Sequence, residues 1–180
     1  MGLGKALGFS LLAYLGLNFL FVIISESITG NLNALFSAIT SNPLIITLIF
    51  FGPITMVPSN AIFSLYSQIS LGIIDASLIQ TIGFIVTPFV ASLVAGRTGG
   101  SKGGSLGGWM IACLIGSSAL GVLAFINPGI LLSVSNMVLL YYDIVVSNPV
   151  FLLIIISLSA LINGIFYGAF ALIFSKQEMY

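Results

Sequence analysis

The sequence contains no histidine, a single cysteine (Cys113), and only four Lys or Arg against four Asp or Glu in 180 residues. Each shortage removes a class of chemistry. Without His, and with one Cys, neither a zinc site of the usual nitrogen and sulfur ligands nor a His-ligated haem can be assembled. Ser–His–Asp and Cys–His catalytic arrangements are equally out of reach. Cys113 has no partner for an intrachain disulfide. The carboxylates Glu26, Asp75, Asp143 and Glu178 stand far apart in the chain, with no spacing that pairs them for acid–base work. The expectation is a non-catalytic protein with no cofactor and no metal.

Charge is scarce in general. Charged residues make up 4% of the chain, whereas a soluble domain carries about a quarter. Too few remain to coat a surface facing water. The same poverty excludes a nucleic-acid binder, which needs a basic face, and the apolar content excludes a disordered chain. Hydrophobic residues reach 59%, and the mean hydropathy is +1.25. The solvent for most of this polypeptide is hydrocarbon, and the lipid bilayer is its first partner.

A bilayer core of about 30 Å is crossed by about 20 apolar residues in a helix. Stretches near that length lie at residues 6–24, 44–63, 72–95, 106–126 and 150–174. The first exceeds the apolar core of a signal peptide, and Ser25-Glu26-Ser27 is a poor cleavage site, so it reads as a retained span. The second is short and interrupted by Gly52-Pro53 and Pro58. Proline withdraws a backbone donor and clashes with the preceding turn, so this stretch is either a kinked span or a re-entrant pair of half-helices. A kink is expected at Thr87-Pro88 in the third. Asn127-Pro128-Gly129 ends the fourth with a turn, and Ser175-Lys176 marks the exit of the fifth.

Residues 28–40, 61–71 and 130–146 combine helical spacing with small polar side chains, as interfacial helices do. The fold predicted is all-α. It is a polytopic membrane helix bundle forming one domain over residues 1–180, with about five transmembrane helices, short interfacial helices and one broken or re-entrant segment.

Loop charges set the expected orientation. Arg97 and Lys102 share loop 96–105, and Lys176 follows the fifth stretch after an even number of crossings. That loop and the C-terminus are therefore expected in the cytoplasm. Five crossings would leave Lys5 outside; four would bring every basic residue inside. Either way Asp75 and Asp143 fall on the outer side. Ser41-Asn42-Pro43 opens the second stretch and Ser147-Asn148-Pro149 the fifth. With five crossings these two units would be inverted, an arrangement found in transporters.

The glycine-rich run over residues 96–108 lacks the Gly-Lys-Ser/Thr order of a phosphate-binding loop. It reads as a flexible hairpin whose Arg97 and Lys102 are available to an acidic surface or an anionic lipid. Small residues four apart, at Gly164 and Gly168, Gly104 and Gly108, and Ser117 and Gly121, mark faces for close helix packing. Trp109 and Tyr141-Tyr142 read as interfacial anchors. Asn18, Gln80 and Asn163 carry amides that lipid cannot satisfy. They would tie helices together or, with Gly52 and Pro53, line a path for a neutral solute. Two functions are expected from these features. The first is an accessory or structural subunit of a larger membrane complex, partnered by other membrane subunits or by further copies of itself. The alternative is a small transporter or membrane-embedded binding component for a weakly charged solute.

Overall fold

The computed structural model describes residues 2–127 and 149–175, and every regular element among them is helical. In chain order these are α1 (Gly2–Thr29), α2 (Leu32–Ser41), α3 (Ile45–Phe51), a 3-10 turn (Gly52–Thr55), α4 (Pro58–Ser70), α5 (Ala76–Thr98), α6 (Lys102–Ile126) and α7 (Pro149–Ile173). Helices α1, α5, α6 and α7 are long and apolar enough to cross a membrane. The protein is a helical membrane bundle.

Local sequence explains the helix ends. The Asp75 carboxylate accepts the Ser77 N–H at 2.8 Å and starts α5. Ser101 Oγ accepts the Gly104 N–H at 3.1 Å and starts α6. Each cap satisfies a donor that the first turn of a helix leaves free. Between α5 and α6, Gly100 turns the chain at φ 71°, a left-handed conformation that only glycine adopts without cost. Helix α5 runs on through Pro88.

Contacts fix the direction of every span. Ser25 Oγ on α1 donates to the Ala76 carbonyl on α5 at 3.1 Å, and Gly2 lies against Gly99, so these helices are antiparallel along their whole length. A side chain added at Gly108 would meet Ala6 and Leu7, which sets α6 parallel to α1. Gly121 lies on Leu153 and Gly168 on Leu106, which sets α7 antiparallel to α6. The start of α1, the end of α5, the start of α6 and the end of α7 therefore share one end of the bundle. Lys5, Arg97 and Lys102 are all exposed there. Lys176 and Asp143 lie outside the described residues.

This geometry decides between the two readings of the second apolar stretch. The chain leaves α1 and enters α5 at the same end, opposite the basic one, so residues 30–75 make no net crossing. The stretch is re-entrant. Helix α2 and the segment Ile45–Thr55 meet at a bend of 120°, where Asn42 Oδ1 accepts the Leu44 N–H at 3.3 Å beside Pro43. Helix α3 then descends into the bundle, and α4 returns.

Several expectations are corrected by these contacts. The short helix expected over residues 61–71 is α4, but it starts earlier, at Pro58, where the missing N–H is harmless, and ends at Ser70; Ala61 is fully buried in it. The glycine-rich run is not a flexible hairpin as far as residue 108. From Lys102 onward it is helix, and Gly108 lets α6 close onto α1. Helices α3 and α7, which follow the two Ser-Asn-Pro sequences, both run inward from the same end and so are not inverted relative to each other; Ser147 and Asn148 lie outside the described residues. The fourth span starts at Lys102 rather than residue 106, and the third at Ala76 rather than 72. The interfacial helix expected over residues 28–40 is α2, which buries no residue; the helix expected over 130–146 lies outside the described residues.

The core is built from small residues. Ala6, Ser10, Tyr14 and Asn18 form one buried stripe along α1, spaced four apart. Gly164 and Gly168 bring α7 onto Met110, Cys113 and Leu106 of α6. Close approach of this kind holds helices together where lipid provides no hydrophobic drive.

Candidate functional site

The re-entrant tip is the chemically demanding part of the molecule. Non-helical backbone at membrane depth needs internal partners, because lipid offers none. Pro53 and Pro58 both lack an N–H, so even a continuous helix would leave the carbonyls of Ile49 and Ile54 without donors. The bundle donates to the carbonyls of this segment from two sides. Asn18 Nδ2 on α1 donates to the Phe50 carbonyl at 2.7 Å. Asn163 Nδ2 on α7 donates to the Ile54 carbonyl at 2.7 Å and to the Met56 carbonyl at 3.2 Å. Gly116 on α6 accommodates the tip, since an added Cβ would lie 3.0 Å from both Phe51 and Ile54 side chains.

The depth of the tip follows from helix rise. At 1.5 Å per residue, Gly116 is about 15 Å from the far end of α6 and Asn163 is about 15 Å from the basic end of α7. Half of a hydrocarbon core is about 15 Å. The tip therefore sits near the midplane.

Directly beneath it, toward the basic end, lies a layer of buried polar and aromatic side chains. Tyr14 is one helical turn from Asn18 on α1, and Tyr167 is one turn from Asn163 on α7. Trp109 of α6 stands between the two tyrosines, with ring centroids 6.1 Å from Tyr14 and 6.4 Å from Tyr167. All five side chains are at most 3% exposed. Three polar atoms of this layer, Tyr14 Oη, Trp109 Nε1 and Asn163 Oδ1, have no hydrogen-bond partner among the described residues. Native interiors leave few such atoms.

Of the residues singled out in the sequence, Asn18, Gly52, Pro53 and Asn163 converge on the tip. Gln80 does not; it is half-buried one turn into α5, near the end opposite the basic one. Trp109 is not an interfacial anchor. It is 1% exposed and central to the layer. Gly164 and Gly168 lie on the seam between α6 and α7. Arg97 remains exposed at the basic end, its guanidinium 5.7 Å from the Phe174 ring centroid. Sequence reading missed Tyr14 and Tyr167, although the spacings Tyr14-x-x-x-Asn18 and Asn163-x-x-x-Tyr167 place each pair on one helix face.

The arrangement has hydrogen-bonding capacity but no charge. No group of three or more metal-binding side chains occurs among the described residues. No protein family, curated protein or solved structure matches this chain.

Proposed function

We propose that this chain is a non-catalytic subunit of a larger membrane assembly, contributing packing surface within the bilayer. The observation that carries the reading is on α4. Ser59 and Asn60 are exposed just beyond the tip, near the midplane, beside exposed Ile62, Phe63, Tyr66 and Ile69. Lipid cannot satisfy a carboxamide at that depth, and such residues almost always face protein or water. A neighbouring membrane helix would supply the missing partner. The basic end, with Lys5, Arg97 and Lys102, faces the cytoplasm in this proposal, in keeping with the bias of Lys and Arg in short loops.

Gentle detergent extraction followed by native mass spectrometry tests the reading. Co-migration with other polypeptides at fixed stoichiometry is expected, together with cross-linking from a photoreactive residue at position 60 to one of them. Extraction as a lone monomer that cross-links only to lipid would refute it.

A second reading, a small transport or binding component for a weakly charged solute, is favoured by the convergence of Asn18, Gly52, Pro53 and Asn163 near the midplane. Uptake of urea or glycerol by vesicles containing the pure chain is the corresponding measurement.

A further inference from the structure

Helix α4 presents its outer face on a heptad spacing. Ser59, Phe63, Tyr66 and Ser70 alternate four and three residues apart, and all are exposed. Ile62 and Ile69 are exposed along one flank of this stripe and Asn60 on the other. The opposite face is spent on the bundle. Ala61 is fully buried there, and two turns on Gln68 Nε2 donates to Thr81 Oγ1 of α5 at 3.1 Å. A stripe with this alternation is the seam along which two parallel helices pack. Its composition is unusual for a surface meeting lipid. Ser59, Asn60, Tyr66 and Ser70 make no side-chain hydrogen bond among the described residues. Ser59 and Asn60 sit near the midplane, and Tyr66 lies only about 10 Å farther out, still within hydrocarbon. No residue of α4 carries a charge.

We propose that a second copy of the chain docks on this face, α4 against α4, across a two-fold axis along the membrane normal. This pairing rests on the subunit reading above, whose partner it names. Copies inserted in one orientation hold each residue at one depth. The axis therefore pairs Ser59 with Ser59, Phe63 with Phe63, Tyr66 with Tyr66 and Ser70 with Ser70. Hydroxyls and carboxamides both donate and accept, so each polar group on the seam or its flank is its own complement. An unrelated helix would need such groups built in at these same depths; a copy has them by symmetry. The lack of charge fits the same partner, because identical charges would repel across the axis. Ser59 is small and lets the two helices approach closely at their membrane-embedded start, as small residues at such seams do.

Disulfide trapping of the full chain in native membranes tests the pairing. In a Cys113→Ala background, Ser59→Cys, Phe63→Cys and Tyr66→Cys should each yield disulfide-linked dimers on oxidation. Leu12→Cys, on the exposed face of α1, controls for chance collision and should not. Ser59→Ala combined with Asn60→Leu removes only groups that the chain leaves unbonded, so the fold should persist. Dimerisation in vesicles, read by energy transfer between labelled chains, should weaken about fivefold. Absence of the disulfides, or a double variant that dimerises like the parent, would overturn the proposal. Mapping the adducts of a photoreactive residue at position 60 separates that failure from failure of the subunit reading. Adducts to a different polypeptide overturn the self-pairing and leave the subunit reading standing. Adducts to residues 128–148 of the same chain show the face covered from within, and also overturn it. Adducts to lipid alone overturn both.

Discussion

Asn18 and Asn163, from helices at opposite ends of the sequence, donate to the carbonyls of Phe50 and Ile54, four residues apart on one membrane-embedded segment. Asn163 gives the Ile54 carbonyl the donor that Pro58 cannot provide, and Asn18 serves Phe50 near the end of α3. Removing either leaves a buried carbonyl exposed to hydrocarbon.

The first prediction concerns these clamps. Asn163→Ala should destabilise the fold by about 1–3 kcal/mol and Asn18→Ala by less, because Asn163 serves two carbonyls and Asn18 one. Unfolding in mixed micelles of increasing denaturing detergent would measure both. Equal and negligible effects would show that the tip is held by packing alone.

A second prediction separates two kinds of glycine. A Cβ at Gly108 would lie 2.5 Å from Ala6 Cβ and 2.8 Å from the Leu7 backbone nitrogen, neither of which can swing aside. At Gly168 it would meet Leu106 Cδ1 at 2.7 Å, the tip of a flexible side chain. Gly108→Ala should therefore cost about 1–3 kcal/mol as overpacking does, and Gly168→Ala clearly less. The reverse order in the same unfolding assay would contradict the packing described for α1 and α6.

Topology offers a third. In a Cys113→Ala background, Gly4→Cys and Ser101→Cys should react with a membrane-impermeant thiol reagent from one face. Ser37→Cys and Ile74→Cys should react from the other. Labelling of Gly4→Cys and Ser101→Cys from opposite faces would require a net crossing between α1 and α5, and would end the re-entrant assignment.

Asp75 gives a pH-dependent prediction. The Ser77 hydroxyl, at 2.6 Å, and the Ser77 N–H hold its carboxyl below the usual value of 3.8. A carboxylate whose acidity is raised by folding stabilises the folded state above its unfolded value and loses that contribution as pH falls below it. Hydrogen exchange at the first turn of α5 should accelerate below about pH 4. In Asp75→Asn, which caps without ionising, this acid step should vanish. Its persistence would place the titration on another group.

Much of the architecture was legible from composition and hydropathy, because apolar runs near 20 residues have few alternatives to crossing a bilayer. The Gly52-Pro53 and Pro58 break was legible for the same local reason. Its resolution as re-entrant was not, since hydropathy cannot say to which end a short half-helix returns. That follows only from Ser25 meeting Ala76 and Gly2 meeting Gly99. Trp109 misled for a related reason. Near the start of a span, an indole at the interface and one turned into the core look alike in sequence. The pairing of Asn18 and Asn163 on one segment was equally hidden, because it depends on which helix neighbours which.

The Asn163 clamp lies 109 residues downstream of the Ile54 carbonyl it satisfies. During synthesis, which releases the chain from its N-terminus, the hairpin leaves the ribosome long before its second anchor exists. Asn18 alone can receive the nascent segment. The hairpin gains its second anchor only when α7 inserts, so a chain truncated ahead of α7 leaves the Ile54 and Met56 carbonyls without their Asn163 donors.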